Sequence, residues 1–92
     1  MSEHVIDFSN AHSIEDAHDV LAASLDLPPY YGRNLDALWD CLTELRGPVH
    51  IRVRGRRALL AADHSRGTAL CSLFDEITSA GGGVTVEWVD PN

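Results

Sequence analysis

The chain has 92 residues, 45% of them apolar and 23% charged, which is typical of one small globular domain and predicts a single domain over residues 1–92. Fourteen acidic residues against seven basic ones give a formal net charge of −7, which argues against nucleic acid or an anionic membrane as the direct partner. Residues 1–45 hold nine acids and one base, Arg33, so we expect an acidic surface there and a basic partner.

A short strand and an amphipathic helix are predicted near the amino terminus. Residues 4–8, HVIDF, combine branched and aromatic side chains in partial alternation, which is typical of a strand. Ser13 is placed as a helix N-cap, because Asp16 follows three residues later, where a capping-box carboxylate reaches back to free amides. The apolar stripe of this helix comprises Ile14, Ala17, Leu21 and Leu25.

A proline-rich loop leads into a second helix. Residues 28–33, PPYYGR, contain two prolines that restrict the backbone and a glycine, Gly32, that permits a positive φ angle. Asn34 is predicted to cap a helix over residues 35–45, which Gly47 and Pro48 end. One side of that helix carries Leu35, Leu38, Leu42 and Leu45, and the opposite side carries Asp36, Asp40, Thr43 and Glu44.

The rest of the chain predicts two strands and two helices. Residues 49–54 alternate apolar with polar side chains, which indicates a strand with one solvent-exposed face, and we place it at an edge of the sheet. Helices are predicted over 56–62 and 68–80, and a last strand over 84–89. This element order predicts an α/β fold, a three-stranded parallel sheet packed with three to four helices.

Targeting signals and cofactor motifs are missing from the pattern. No stretch approaches the roughly 20 apolar residues of a membrane span, and residues 1–10 lack the basic and apolar parts of a signal peptide. We therefore expect a cytoplasmic protein that does not contact membranes. Cys41 and Cys71 lie in helical patterns and are predicted to be reduced, partly buried thiols. The histidines lack the spacing of a zinc site, so no metal and no cofactor is predicted.

The acidic side of the second helix is the candidate functional surface. An ordinary solvated helix face is the simplest explanation of such a pattern. Asp36 and Asp40, however, are like charges four residues apart, an arrangement that destabilises an isolated helix by roughly 0.2–0.5 kcal/mol. No cation on that side of the helix offsets them, which favours a role in binding.

Aromatic residues lie beside these acids. Tyr30, Tyr31 and Trp39 belong to the types enriched at interface hot spots. We expect one of the adjacent tyrosines to point outward and Trp39 to be partly buried. Glu76, two residues after Phe74, leaves the apolar stripe of the late helix and is placed to extend the acidic surface.

The run LPPYYGRNLDALWDCLT, residues 27–43, resembles the signature of the barstar family, intracellular inhibitors of barnase-like microbial ribonucleases. Element order and residues 74–76, FDE, extend a weaker resemblance over nearly the whole chain. The resemblance implies a barstar-like fold and a one-to-one complex with a basic extracellular-type ribonuclease, whose active site the acidic helix and adjoining loop block. The ribonuclease-binding residues that it implies are Tyr30, Asn34, Leu35, Asp36, Trp39, Asp40, Thr43 and Glu76.

The resemblance also implies roles for individual residues. Asp40 would occupy the site of the scissile RNA phosphate and accept hydrogen bonds from the cations that bind it. Asp36 and Glu76 would pair with a flanking arginine or lysine, and Tyr30 would pack against the catalytic histidine. The rim of the surface departs from the family pattern at Arg33, Glu44, Leu45 and Ala80.

Two other functions compete with inhibition. A hydrolase would use Asp36, Asp40 and Glu76 as general acid, base or metal ligands, but the chain lacks a nucleophile with its base and a phosphate-binding loop. An acidic adaptor or regulator would keep the fold and bind another basic protein. We predict an inhibitor and not an enzyme.

Overall fold

The computed structural model of the protein describes residues 2–45 and 47–89. Within these residues the elements follow in the order β1 (Ser2–Asp7), α1 (Ile14–Ser24), α2 (Leu35–Glu44), β2 (Val49–Arg54), α3 (Arg56–Ala62), α4 (His64–Ser79) and β3 (Val84–Trp88). The three strands form one parallel sheet. The predicted three-stranded parallel α/β fold is therefore confirmed, while the predicted domain limits at residues 1 and 92 lie outside the described residues.

The central position of β2 shows that its prediction as an edge strand was wrong. Val49 pairs with Ser2 of β1 on one side and with Val84 of β3 on the other. The side chains of Val49, Ile51 and Val53 are buried, whereas Arg52 between them is exposed. A strand can have hydrogen-bonded neighbours on both sides and still expose one face, because side chains project out of the plane in which the strands pair.

The exposed face of the sheet mixes charges of both signs. Nε2 of His50 lies 3.0 Å from Oε1 of Glu87. The guanidinium of Arg52 lies 4.0 Å from the carboxylate of Glu3 on the opposite neighbouring strand. Each pair joins β2 to an adjacent strand. This face of the sheet therefore carries both acids and bases, whereas the exposed side predicted for α2 carries acids and no bases.

The hydrophobic core lies between the other face of the sheet and the helices. The rings of Phe74 on α4 and Trp88 on β3 meet edge to face, with centroids 5.9 Å apart. The largest fully buried side chains are Phe8, Phe74, Ile6, Leu21, Leu38, Leu42, Ile51, Leu59, Leu70 and Val53. They come from β1, β2, all four described helices and, for Phe8, the residue that directly follows β1.

The start of α1 matches its predicted capping pattern. Oγ of Ser13 accepts a hydrogen bond from the backbone amide of Asp16 at 3.0 Å. Oδ2 of Asp16 in turn accepts one from the amide of His12, one residue before the cap, also at 3.0 Å. These bonds pair amides that would otherwise lack partners at the helix N-terminus.

Helix α4 begins at His64, four residues before the predicted start. Oδ1 of Asp63 accepts a hydrogen bond from the amide of Arg66 at 3.0 Å and caps the helix. Gly67, a residue type of low helix propensity, is buried where α4 approaches α3. A Cβ at Gly67 would lie 3.0 Å from the carbonyl oxygen of Leu59, so the glycine serves the close packing of the two helices.

Candidate functional site

Helix α2 is held by one side and exposes the other. Leu38 and Leu42 are completely buried, and Leu35 and Leu45 are partly buried against the core. The exposed side consists of Asp36, Asp40, Thr43 and Glu44. The predicted separation of leucines from acids is confirmed, and we call this exposed side together with Tyr30 and Glu76 the acidic surface.

Asn34 fixes the start of α2. Its Oδ1 accepts a hydrogen bond from the amide of Ala37 at 2.8 Å, which confirms the predicted N-cap. Its Nδ2 donates to the carbonyl oxygen of Gly32 at 3.2 Å. The side chain therefore ties the loop to the first turn of the helix that carries the acids.

The carboxylates of the acidic surface have no cationic partner among residues 2–45 and 47–89. No Arg or His nitrogen of this part of the chain lies within 4.0 Å of a carboxylate of Asp36, Asp40 or Glu76. Acids on other surfaces of the chain differ. Glu15 pairs with Arg66 at 3.4 Å, for example, and Asp63 with the same arginine at 3.7 Å.

Glu76 lies close to α2, although it belongs to α4. Asp36 and Trp39 of α2 line one shallow depression together with Ser72 and Glu76 of α4. Leu35, Ala69 and Leu73 complete its lining. The sequence predicted four of these residues and missed Ala69, Ser72 and Leu73. Their spacing of three, four and seven residues from Glu76 was the available signal, because such residues share one helix face.

The loop before α2 presents one tyrosine and buries the other. Tyr30 is 83% exposed, whereas Tyr31 is 8% exposed. The amide of Tyr31 donates to the carbonyl oxygen of Pro28 at 3.0 Å, and its hydroxyl forms a hydrogen bond with Nδ1 of His18 at 2.5 Å. Tyr31 thus anchors the loop to the protein interior, while the ring of Tyr30 stays exposed on the surface. The prediction that one tyrosine points outward is confirmed.

Burial keeps the His18–Tyr31 pair uncharged at neutral pH. Burial lowers the pKa of His18 below its usual 6.5, and the nearby guanidinium of Arg33 lowers this pKa further. Burial raises the pKa of the Tyr31 phenol to about 12. Sequence reasoning missed this role of His18, although position 18 falls inside the buried stripe of α1, next to Ala17 and three residues before Leu21.

The positive φ angles of this region lie on residues other than Gly32, the residue that most readily permits them. Arg33 has φ +54° and Asp26 has φ +52°, whereas Gly32 does not adopt a positive φ. Arg33 lies directly before the N-cap, and its side chain forms a 2.6 Å ion pair with Asp19 of α1. The positive φ angle thus falls on a residue type that adopts it less readily than glycine does.

The remaining predicted residues have local roles. Oγ1 of Thr43 donates to the carbonyl oxygen of Asp40 at 3.0 Å, within the last turns of α2. Trp39 is partly buried against the core, as predicted. Cys41 is partly buried and Cys71 is buried; both thiols are free, and burial raises the pKa of each.

Neither a metal cluster nor a spanning helix is found in residues 2–45 and 47–89. These residues contain no group of three His, Cys, Asp or Glu side chains placed to hold a metal ion. No helix in the same part of the chain has the length and apolar character needed to cross a bilayer.

Comparison with known proteins identifies the family of this chain. Residues 1–88 match the protein family described as "Barstar (barnase inhibitor)". The chain belongs to the barstar family. A protein of Bacillus subtilis (strain 168) named "Putative ribonuclease inhibitor YrdF" is 58% identical to it over 43 residues, which is 47% of this chain and 47% of that relative. The chain thus aligns with about half the length of that relative, and the acidic surface lies within the range matched to the barstar family.

Proposed function

We propose that this protein is a stoichiometric inhibitor of a basic microbial ribonuclease and acts without catalysing a reaction. The observation that carries the proposal is the unpaired acidic surface. Asp36 and Asp40 project from a helix whose other side is fully anchored, and no described cation neutralises them. Membership of the barstar family and the name of the Bacillus subtilis relative support a ribonuclease as the partner.

Asp40 is the proposed centre of the contact. A ribonuclease binds the scissile phosphate of RNA with cationic side chains, and a carboxylate in the same place accepts charge-assisted hydrogen bonds from them. Asp40 lies in the middle of α2 and is exposed, so it can enter a concave active site ahead of its neighbours. The inhibitor would then occupy the place of the substrate and copy its charge.

Neighbouring residues would surround this central contact. Asp36 and Glu76 border one depression from two helices, which suits a single arginine or lysine of the enzyme placed between them. Tyr30, in the loop before α2, offers an exposed ring for packing. Asn34, Leu35, Trp39 and Thr43 complete the proposed contact surface.

A pre-organised surface lowers the entropic cost of binding. The leucines of α2, the cap at Asn34 and the buried anchor at Tyr31 hold the acidic surface in place before any partner arrives. The net charge of −7 also attracts a basic enzyme over long range and accelerates the encounter. Both features favour tight one-to-one binding.

We place the protein in the cytoplasm. An inhibitor of an RNA-cleaving enzyme protects the producing cell where its RNA is present. The free thiols of Cys41 and Cys71 agree with a reducing compartment.

The test is an inhibition titration. The purified protein is added to barnase and to a panel of other small basic microbial ribonucleases, and cleavage of a fluorescent RNA is followed. We expect activity of at least one enzyme to fall linearly to an endpoint at one inhibitor per enzyme. Undiminished cleavage by every enzyme at a large molar excess contradicts the proposal. Capture of a basic partner without nuclease activity then favours the adaptor function.

A further inference from the structure

A second pocket lies where α1, α2 and α4 meet. Its volume is about 280 Å³. Ile14 and His18 of α1, Leu35 of α2 and Ala69 of α4 contribute to its lining. Ile14 and His18 are buried, and the other two are partly buried, so the floor is well packed and largely apolar.

The charged side chains at the rim of this pocket form ion pairs, unlike the carboxylates of the acidic surface beside it. Arg66 on the rim pairs with Glu15 at 3.4 Å. Arg33, also on the rim, pairs with Asp19 at 2.6 Å. Each acid of α1 near the pocket is therefore matched by an arginine, whereas the carboxylates of Asp36 and Glu76 a short distance away are unmatched among the described residues.

The pocket is continuous with the acidic surface. Leu35 and Ala69 line both this pocket and the depression that contains Asp36 and Glu76. Asn34, which caps α2, also lines the pocket. An enzyme seated on α2 would therefore extend over the pocket as well.

We propose that this pocket is a specificity site of the inhibitor, which receives one uncharged apolar side chain from the same ribonuclease. The proposal rests on the proposed function, because the occupant belongs to the enzyme that binds the acidic surface. A lysine or arginine of a basic enzyme gains from the unmatched carboxylates of the acidic surface, whereas the carboxylates of Glu15 and Asp19 near this pocket are already paired with arginines. An apolar side chain instead loses water against Ile14 and Leu35 and needs no charged partner.

The size of the pocket agrees with a single side chain. Pockets for drug-sized ligands start at about 300 Å³, so this pocket is slightly smaller than that range. Interface hot spots are side chains that fill well-packed pockets near the centre of a contact. Discrimination between related ribonucleases would then depend on the residue that each enzyme offers to this pocket.

The test fills the pocket from the inhibitor's own side. Ile14→Trp and the less bulky Ile14→Phe enlarge a side chain that lines this pocket but not the depression with Asp36 and Glu76. Ala61→Phe on α3, an exposed alanine outside the pocket, is the matched control. The dissociation constant is measured calorimetrically with the ribonuclease of the panel that the unaltered protein inhibits most tightly, and the thermal midpoint of each variant is recorded.

We expect both Ile14 variants to raise the dissociation constant about tenfold or more, because an anchor side chain is displaced, while Ala61→Phe leaves it unchanged. If the Ile14 variants fold and bind as tightly as the unaltered protein, while Asp40→Ala binds weakly, the pocket proposal is wrong and the proposed function stands. If the unaltered protein inhibits no ribonuclease in the panel, both proposals fall.

Discussion

The hydroxyl oxygen of Tyr31 lies 2.5 Å from Nδ1 of His18, a contact that fastens the loop before α2 to α1. Both side chains are buried, and their rings are 5.7 Å apart at a tilt of 54°. Tyr30, the adjacent residue, is the most exposed large apolar side chain of the acidic surface. This hydrogen bond therefore stabilises the fold and also fixes the loop that presents Tyr30.

Removing the Tyr31 hydroxyl should destabilise the protein. In Tyr31→Phe a buried imidazole nitrogen loses its partner, which costs about 1–3 kcal/mol of unfolding free energy. Urea unfolding measures this loss. Tyr30→Phe deletes the same atom from an exposed ring and is expected to stay within about 0.5 kcal/mol. Equal stability of the two variants would show that the buried hydrogen bond contributes nothing.

Stability should fall as the pH drops below 6.5 because of His18. Burial lowers the pKa of His18 in the folded state, so on acidification the unfolded chain takes up this proton first. Protonation therefore stabilises the unfolded chain relative to the folded one. Arg33 strengthens the effect, and Glu15 and Asp19 oppose it. Unfolding free energies of the protein and of His18→Gln, measured between about pH 5 and pH 8, should differ in slope only on the acid side. Parallel curves would contradict this assignment.

Loss of the α2 cap should destabilise the helix that carries the acids. Asn34→Ala removes the oxygen that accepts the Ala37 amide and is expected to cost about 1 kcal/mol of unfolding free energy. Asn34→Asp keeps an accepting oxygen and adds a favourable charge at the helix N-terminus, so most of the stability should remain. Chemical denaturation compares the two variants, and the same loss in both would argue against capping.

Asp40 should dominate binding without supporting the fold. Asp40→Ala removes a central charge of the proposed complex, and we expect it to weaken binding by about 2 kcal/mol or more. The hydrogen bond from Thr43 goes to the backbone carbonyl of Asp40, so α2 keeps it in the variant. Asp75→Ala, which removes an exposed carboxylate from α4, is the charge-matched control. Equal dissociation constants for the two variants would exclude Asp40 as the centre.

Association should slow as salt is added. A chain of net charge −7 and a basic enzyme attract each other over distances that salt screens, with a Debye length of about 10 Å at 0.1 M. Stopped-flow association rates between low and moderate ionic strength should fall steeply, while dissociation rates change little. Salt-independent association would show that the acidic surface does not guide the encounter.

Features that depend on neighbours along one element were predictable. The caps at Ser13 and Asn34 follow from side chains placed three residues before the amides that they bind. The separation of Leu38 from Asp40 follows from the helical repeat. These properties hold whatever the helix packs against, so a sequence pattern contains them.

Features that depend on other elements were predicted poorly. β2 is central because β1 and β3 pair with its two edges, which its own alternation does not record. The positive φ angle falls on Arg33, whose side chain pairs with Asp19 of α1. Each outcome needs a partner that is distant in sequence.

Some properties of the acidic surface follow from the sequence alone, and others only from the tertiary structure. The sequence by itself determined that Asp36 and Asp40 share the exposed side of one helix, because residues four apart lie on the same face. Only the tertiary structure decided that Glu76 borders the same depression, that Tyr30 and not Tyr31 is exposed, and that His18 fastens the loop. Those distances are set by packing of α1, α2 and α4 in a common core, where the position of each helix depends on all the others.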